Sequence, residues 1–310
     1  MKKCMWMMVM GFGLLAMDVV ADEKMDVTQQ NIGSERMSSP TQRWRNEIAF
    51  RADWVGKTKI DKKNFRDRDV SFYNVEVQGE RVIYHNPGCK EGVSFGVGYS
   101  NTYFHFEKNP FFSNDNFNMV SFTLAGFSGR IERWLFQGYI TANWQYDYQN
   151  FADYSNYDIL LWSKYEYCPN ILNLHAGFLM ETGMKIDRIC PIIGFDWKFA
   201  HKWKLNAIFP VNLSVVYDFQ ENWTATLAGR LFNLRYRLGK HDRLREALLE
   251  YYNYGIELGC SYQKEGFFIN MHAGYTIGGE FKISSRQHKH RKHFDMDSAP
   301  YAGGEIAYKF

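Results

Sequence analysis

The sequence predicts an all-β chain that closes into an antiparallel transmembrane β-barrel of about fourteen strands, with twelve possible. Three observations carry this expectation. From Trp44 to Phe310 apolar and polar residues alternate with period two, which gathers the apolar ones on one face of a strand and would scatter them around a helix. Aromatic residues reach 17%, with 25 Phe, 20 Tyr and 9 Trp, yet mean hydropathy is −0.43. A wall with one face on lipid and the other on water averages to such a value because its two faces cancel. Finally, the chain begins as exported chains do.

That beginning reads "MKKCMWMMVMGFGLLAMDVVADEK". Lys2 and Lys3 precede an uncharged apolar run from Cys4 to Met17, and Val19 and Ala21 stand where a signal peptidase reads, so residues 1–21 are expected to be a cleaved signal peptide. The apolar run is shorter than the roughly 20 residues that span a bilayer. Residues 22–43 are polar and aperiodic and read as a flexible periplasmic leader, leaving 44–310 for the barrel. Losing Lys2, Lys3 and Asp18 lowers the formal net charge from +3 to +2, a near-neutral balance that argues against a nucleic-acid partner.

The first strand, 44–55, sets Ile48, Phe50, Ala52 and Trp54 against Glu47, Arg51 and Asp53. The second covers 70–84. The third, 92–106, sets Val93, Phe95, Val97 and Tyr99 against Ser94, Gly96, Gly98 and Ser100, and the fourth covers 116–127. The fifth, 133–148, alternates most strongly: Trp134, Phe136, Ile140, Trp144, Tyr146 and Tyr148 oppose Gln137, Thr141, Asn143, Gln145 and Asp147. It is longer than the usual five or six residues of a soluble strand and suits a tilted membrane strand. Strands at 157–167, 171–181, 191–199, 203–209 and 211–219 follow, and losing the break at "FPVN" with one other would reduce fourteen to twelve.

In the next strand, 223–237, the apolar phase shifts from Trp223, Ala225, Leu227 and Leu231 to Phe232, Leu234, Tyr236 and Leu238. The shift predicts a β-bulge near Leu231 and turns Arg230, Asn233, Arg235 and Arg237 inward. A short helix is expected at Asp242–Glu250, before strands at 252–262, 267–282 and 299–310. Short turns such as "SYQKEGFFIN" alternate with long charged connections such as "VGKTKIDKKNFRDRD" and "KISSRQHKHRKHFDMDS", the loop asymmetry of outer-membrane barrels.

The signal peptide, the period-two aromatics, the Trp-flanked turns and the terminal "YAGGEIAYKF" together resemble a Gram-negative outer-membrane β-barrel. The stretch "WKFAHKWKLNA … YDFQENWTATLAGRL" is similar to a group of uncharacterised barrels of that class. The resemblance implies location and fold, and it implies that Tyr308 and Phe310 form the signal read by the barrel-assembly machinery. Glu305 stands where that pattern has Gly.

Inward polar positions supply the lumen-lining candidates: Glu47, Arg51, Asp53, Arg230, Arg235, Arg237, Glu257 and Glu305. Buried arginines either pair with acids or attract anions, and Glu257, on the neighbouring strand, is a cross-strand partner. The expected function is a porin-like channel for passive passage of small polar solutes. The alternatives are a non-conducting structural or adhesive surface barrel acting through its basic extracellular loops, and a rim-sited hydrolase drawing on His105, Asp153, His175, His272 or Glu280. Outer-membrane lipid and lipopolysaccharide are the expected contacts. "HKHRKH" offers His288, His290 and His293 as metal ligands, but Lys289, Arg291 and Lys292 oppose cation binding, so a basic loop is preferred and no metal or other cofactor is expected. The glycines of "SFGVGYS" lie within a strand and make no nucleotide loop. Cys89, Cys168, Cys190 and Cys260 allow three full pairings, between which spacing does not choose.

Overall fold

In the computed structural model the chain is a closed antiparallel β-barrel. The structure describes residues 46–61, 69–88, 90–106, 115–147, 153–182, 186–240, 246–284 and 292–310, with positions 151, 242 and 244. The signal peptide and leader expected at the N-terminus, Cys89, His288 and His290 lie outside the described residues.

The wall runs through β1 (Glu47–Asp61), β2 (Asp69–Asn86), β3 (Glu91–Phe106), β4 (Asn116–Ser128), β5 (Trp134–Trp144), β6 (Ser155–Cys168), β7 (Leu172–Thr182) and β8 (Ile186–Ala200). It continues through β9 (Trp203–Phe209), β10 (Asn212–Gln220), β11 (Trp223–Arg237), β12 (Leu248–Lys264), β13 (Phe267–Ser284), β14 (Lys292–Met296) and β15 (Pro300–Lys309). The segments β14 and β15 share one place in the ring, since both pair with β1 and with β13. The ring therefore has the fourteen positions that the alternation predicted. It closes where β1 meets β15, from Glu47↔Lys309 to Val55↔Tyr301. Asn46 and Phe310 extend the seam by exchanging backbone hydrogen bonds of 3.1 and 2.9 Å. A closed ring leaves no unpaired edge at this seam, which is what hydrocarbon requires.

Period two places every second side chain outside. Ile48, Phe50, Trp54, Ile140, Leu161, Leu227, Leu258 and Ile306 are exposed, while Asp53, Ser94, Thr141, Asp158, Asn206 and Glu305 on the opposite phase are buried. At the short-turn end the exposed face carries a run of rings, Trp197, Phe199, Trp203, Tyr217, Phe219, Trp223 and Tyr262, with successive centroids 4.5 to 6.5 Å apart. Rings of this kind favour the headgroup region. The β12–β13 turn has positive φ at Glu265 (50°) and Gly266 (87°), the pairing that matches the twist of a two-residue hairpin.

Three expectations are corrected by the fold. The short helix at Asp242–Glu250 does not form among the described residues: Leu248 to Glu250 already belong to β12, because they extend its pairing with β11 and β13. Strand β5 stops at Trp144 rather than at Tyr148.

The third correction concerns the bulge near Leu231. The pairing of β11 with β12 is unbroken from Trp223↔Tyr262 to Arg237↔Leu248. What changes is the other neighbour. The β9–β10 hairpin is low, so β10 accompanies β11 only as far as Leu213↔Gly229. Above that point no strand pairs with the free edge of β11 among the described residues. The upper half of β11 turns into the lumen, and both of its faces become interior: Arg230, Phe232, Arg235, Tyr236 and Arg237 are all buried. The shift of apolar phase records this departure. A real irregularity lies two strands away, where the β12–β13 register slips at Tyr254/Gly255 and Gly278 takes φ of 108°.

Candidate functional site

The lumen holds three groups of side chains. The first lies in the short-turn half. Arg51 and Glu305 face each other across the seam, and the Arg51 Nη2 donates to Glu305 Oε2 at 3.0 Å. Arg230 Nη2 donates to Asp53 Oδ2 at 2.7 Å and its Nη1 to Glu257 Oε2 at 3.2 Å. Glu257 also accepts from the Tyr301 hydroxyl at 3.1 Å. His272 Nε2 lies 2.9 Å from Asp53 Oδ1 and touches Arg230 as well. The Arg230 guanidinium sits over the rings of Phe232 and Tyr301, 4.8 and 5.9 Å from their centroids. Lys309 reaches Glu47 at 3.4 Å. Gly303 makes room for this packing, since a Cβ there would strike Asp53 and His272. Removing ions from water is costly unless each finds partners in good geometry, and here they do. Arg230 is thereby committed to two carboxylates.

The second group lies on β7 to β9. Asp196 accepts from Asn173 at 2.6 Å, sits 3.0 Å from His175 Nε2, and has Lys204 at 4.0 Å. The third group surrounds the inward half of β11. On one face Tyr236 hydrogen-bonds Thr102 at 2.6 Å and stacks on Phe117 at 4.7 Å, and Phe232 packs on Phe72 and Tyr301 at 5.9 and 5.0 Å. On the other face Asn233 donates to Glu181 at 2.8 Å and Arg235 is ion-paired with Asp158. Gln145, just past the end of β5, donates to the Arg237 carbonyl at 3.2 Å and accepts from the Arg237 amide at 2.5 Å. Along the edge of this segment is a cavity of about 90 Å³, lined by Asn74, Glu76 and Ser100 on the Tyr236 side, by Asn143, Asn156, Asp158 and Glu181 on the other, and by the Asn233–Tyr236 stretch, among others.

The structure thus brings Asp53, Arg230 and Glu257 into one network, and pairs Arg51 with Glu305 and Glu47 with Lys309. Arg235 and Arg237 lie elsewhere, on the far face of β11. Sequence reasoning missed Asp158, Glu181 and Gln145. Gln145 and Asp158 stand on the inward phase of their strands, so alternation alone marks them as lumen residues. Buried carboxylates of the described residues are Glu47, Asp53, Glu76, Asp158, Glu181, Asp196, Asp242, Glu257 and Glu305, against the buried guanidiniums Arg51, Arg230, Arg235 and Arg237. Carboxylates outnumber guanidiniums, so the arginines do not make the interior a basic one.

The residues weighed for hydrolysis are engaged separately: His175 with Asp196, His272 with Asp53, Glu280 with Lys282, and His105 exposed beside the Tyr103 ring. His293 bonds to Asp295 at 2.9 Å, and no cluster of three or more metal-type donors occurs among the described residues. Cys168, Cys190 and Cys260 are free thiols. Tyr308 and Phe310 are exposed on the outer surface, their rings stacked at 6.0 Å.

A closed antiparallel ring with an apolar exterior, an aromatic girdle and a polar, ion-paired interior defines a transmembrane β-barrel of the outer-membrane class. Residues 169–309 match a family described as a domain of unknown function, DUF6268, which takes in the half of the barrel from β7 onward. The chain is similar to an uncharacterised protein of Chlamydia trachomatis, 26% identical over 219 residues that cover 67% of this chain and 64% of that one. It is also similar to one of Chlamydia pneumoniae, 25% identical over 197 residues, covering 63% and 61%. The match therefore spans less than two thirds of these relatives' own length. Among solved structures it is similar to an outer membrane channel from Pseudomonas putida F1, at TM-score 0.48 and 6% identity over 87% of this chain and 97% of that one. A KdgM porin gives TM-score 0.38 and 8% identity over 85% and 99%.

Proposed function

We propose that the chain is an outer-membrane channel for passive passage of small polar solutes, with its lumen constricted by β11. The observation that supports this most is the polar cavity inside the wall, where amides and carboxylates from β5, β6 and β7 face the edge of β11. Side chains lining such a passage decide what crosses it. Export through signal peptide 1–21, assembly guided by Tyr308 and Phe310, and contact of the basic loops with lipopolysaccharide belong to the same reading.

Refolded protein in planar bilayers should give discrete current steps above bare lipid. No step at any voltage would overturn the channel and leave the second reading, a non-conducting barrel. That alternative is favoured by the apolar cluster of Phe72, Phe104, Phe117, Tyr251 and Phe281, packed against one face of β11 in the loop-side half. Sequencing the N-terminus of the mature protein recovered from outer membranes should begin at Asp22, and a start at Met1 would refute the cleavage.

A further inference from the structure

The wall is interrupted between β8 and β11. On one side β8 pairs with β7 along its length, from Thr182↔Ile186 to Leu172↔Trp197. On the other side its ladder starts only at Ile193↔Phe209, and among the described residues no strand pairs with the edge from Ile186 to Ile192. The strands that would do so, β9 and β10, end at this height in the turn after Phe209. Strand β11 has turned into the lumen above Gly229, tethered by Gln145 at Arg237. A notch results, with β8 on one side, the hairpin tip below and β11 on the other.

The notch lies at membrane height. Ile189, Ile193 and Leu213 around it are exposed, as are Ile256 and Tyr254, which are level with Gly229 and Leu231. Phe209 at the hairpin tip is 75% exposed, a position that suits a ring in hydrocarbon and not in water. Lipid tails offer N–H and C=O groups nothing, so the edge of β8 calls for polar partners that no strand supplies.

Behind the notch the inner wall changes character. Leu160, Leu179, Ile192, Ile208 and Val211 form an aliphatic cluster, each at most 5% exposed, with Cys190 packed against it. Val211 stands in the turn beside the outward Phe209, and Leu179 lines the polar cavity along β11. An apolar route therefore joins the cavity to lipid over the hairpin tip, where no hydrogen-bonded ladder blocks it. Side-chain packing alone seals it, and side chains part without breaking backbone bonds. A solute that travels in water gains nothing from such a route. One with an apolar chain and a polar end fits both of its ends, since the cavity offers the amides of Asn143, Asn156 and Asn233.

We propose that the notch between β8 and β11 is a side entrance from the bilayer, which takes the chain of a single-chain amphiphile over Val211 while its small polar head reaches the cavity. The entrance goes beyond passage along the barrel axis and needs no current: if bilayers stay silent, the channel reading fails and this site stands or falls on its own test.

The probe is N-dodecylmaleimide, a thiol reagent with a small head and a single chain, applied to the full-length protein in phosphatidylcholine vesicles. Three single-cysteine forms are compared. One keeps only native Cys190, which adds no new side chain to the seal, and one keeps only Cys260, which is exposed on the outer face. The third is Thr141→Cys in a cysteine-free chain, a buried inward position with unbroken ladders on both sides. The dodecyl chain holds the reagent in lipid, so Cys190 should react at least about tenfold faster than Thr141→Cys. Gly229→Trp fills the β11 rim of the notch, where a Cβ meets only Leu213 at ordinary contact distance. It should bring the rate at Cys190 down to that of Thr141→Cys and leave Cys260 unchanged, with Gly229→Leu as the smaller alternative. An excess of unreactive N-dodecylsuccinimide should protect Cys190 and not Cys260. Heat-modifiable migration in detergent gels selects the folded forms for comparison. The entrance is overturned if Cys190 reacts no faster than Thr141→Cys, if filling the rim leaves its rate unchanged, or if protection is equal at both native cysteines.

Discussion

The two halves of the lumen are filled by different means. Toward the short turns the interior is ionic, with Arg51 on Glu305 and Arg230 held between Asp53 and Glu257. Toward the long loops one face of β11 is packed by rings, with Phe104 and Tyr251 almost inaccessible at 0% and 1% exposure, while its other face keeps the Arg235–Asp158 pair. The difference follows from β11. An inward Phe in an open barrel would face water. Phe104 becomes core because the inward half of β11 brings Tyr236 to 6.3 Å from it, with Phe232 and Leu234 in the same cluster. Below Gly229 β11 stays in the wall, no element of the described residues crosses the lumen there, and the charges of the wall must satisfy one another.

Four substitutions would break or sharpen this contrast. Arg230→Ala should cost most, about 3–5 kcal/mol, because it strands two buried carboxylates. Denaturant unfolding in detergent measures it, and a loss below about 1 kcal/mol would mean water already solvates the network. Phe104→Ala should cost a similar or slightly smaller amount within about 3–5 kcal/mol, by opening a cavity in the ring-packed half. If the same assay finds it neutral, the loop-side half is wet and the contrast disappears. Gln145→Ala should cost about 1–3 kcal/mol, the cost of leaving buried backbone groups of Arg237 without partners. Hydrogen exchange at the Arg237 amide should rise in that variant while the Arg51 amide stays protected; an unchanged Arg237 amide removes the tether. Trp203→Ala should matter least, about 0.5–1.5 kcal/mol beyond its area, for the lost stacking on Tyr217 at 4.5 Å. Its effect should be equal in both halves, since it lies on the lipid face; labelling of lumen cysteines that changes only at the loop end would contradict that.

The wall was legible because it is local. Alternation read from Ile48 to Trp54, or from Trp134 to Trp144, places those side chains without any knowledge of neighbours. The inward position of Glu305 was legible for the same reason. Its partner was not: Arg51 is 254 positions away and meets it only through ring closure. The phase shift at Leu231 was visible, and a bulge is the natural local cause. The actual cause is the short reach of β10, which a reader of β11 alone does not see. His272 shows the same limit, since residue type made it a rim candidate while register carried it into the network at Asp53.

The sequence by itself determined that this chain is a barrel, how its strands face, where its tight turns fall and that its outside is aromatic. Each of those depends on a period of two or on the backbone freedom of a few turn residues, which neighbours in the chain settle among themselves. Only the tertiary structure decided which charges are partners, that β11 leaves the wall above Gly229, and that a polar cavity survives beside it. Those depend on relative strand lengths and on the register of a closed ring, where residues far apart in the chain become neighbours.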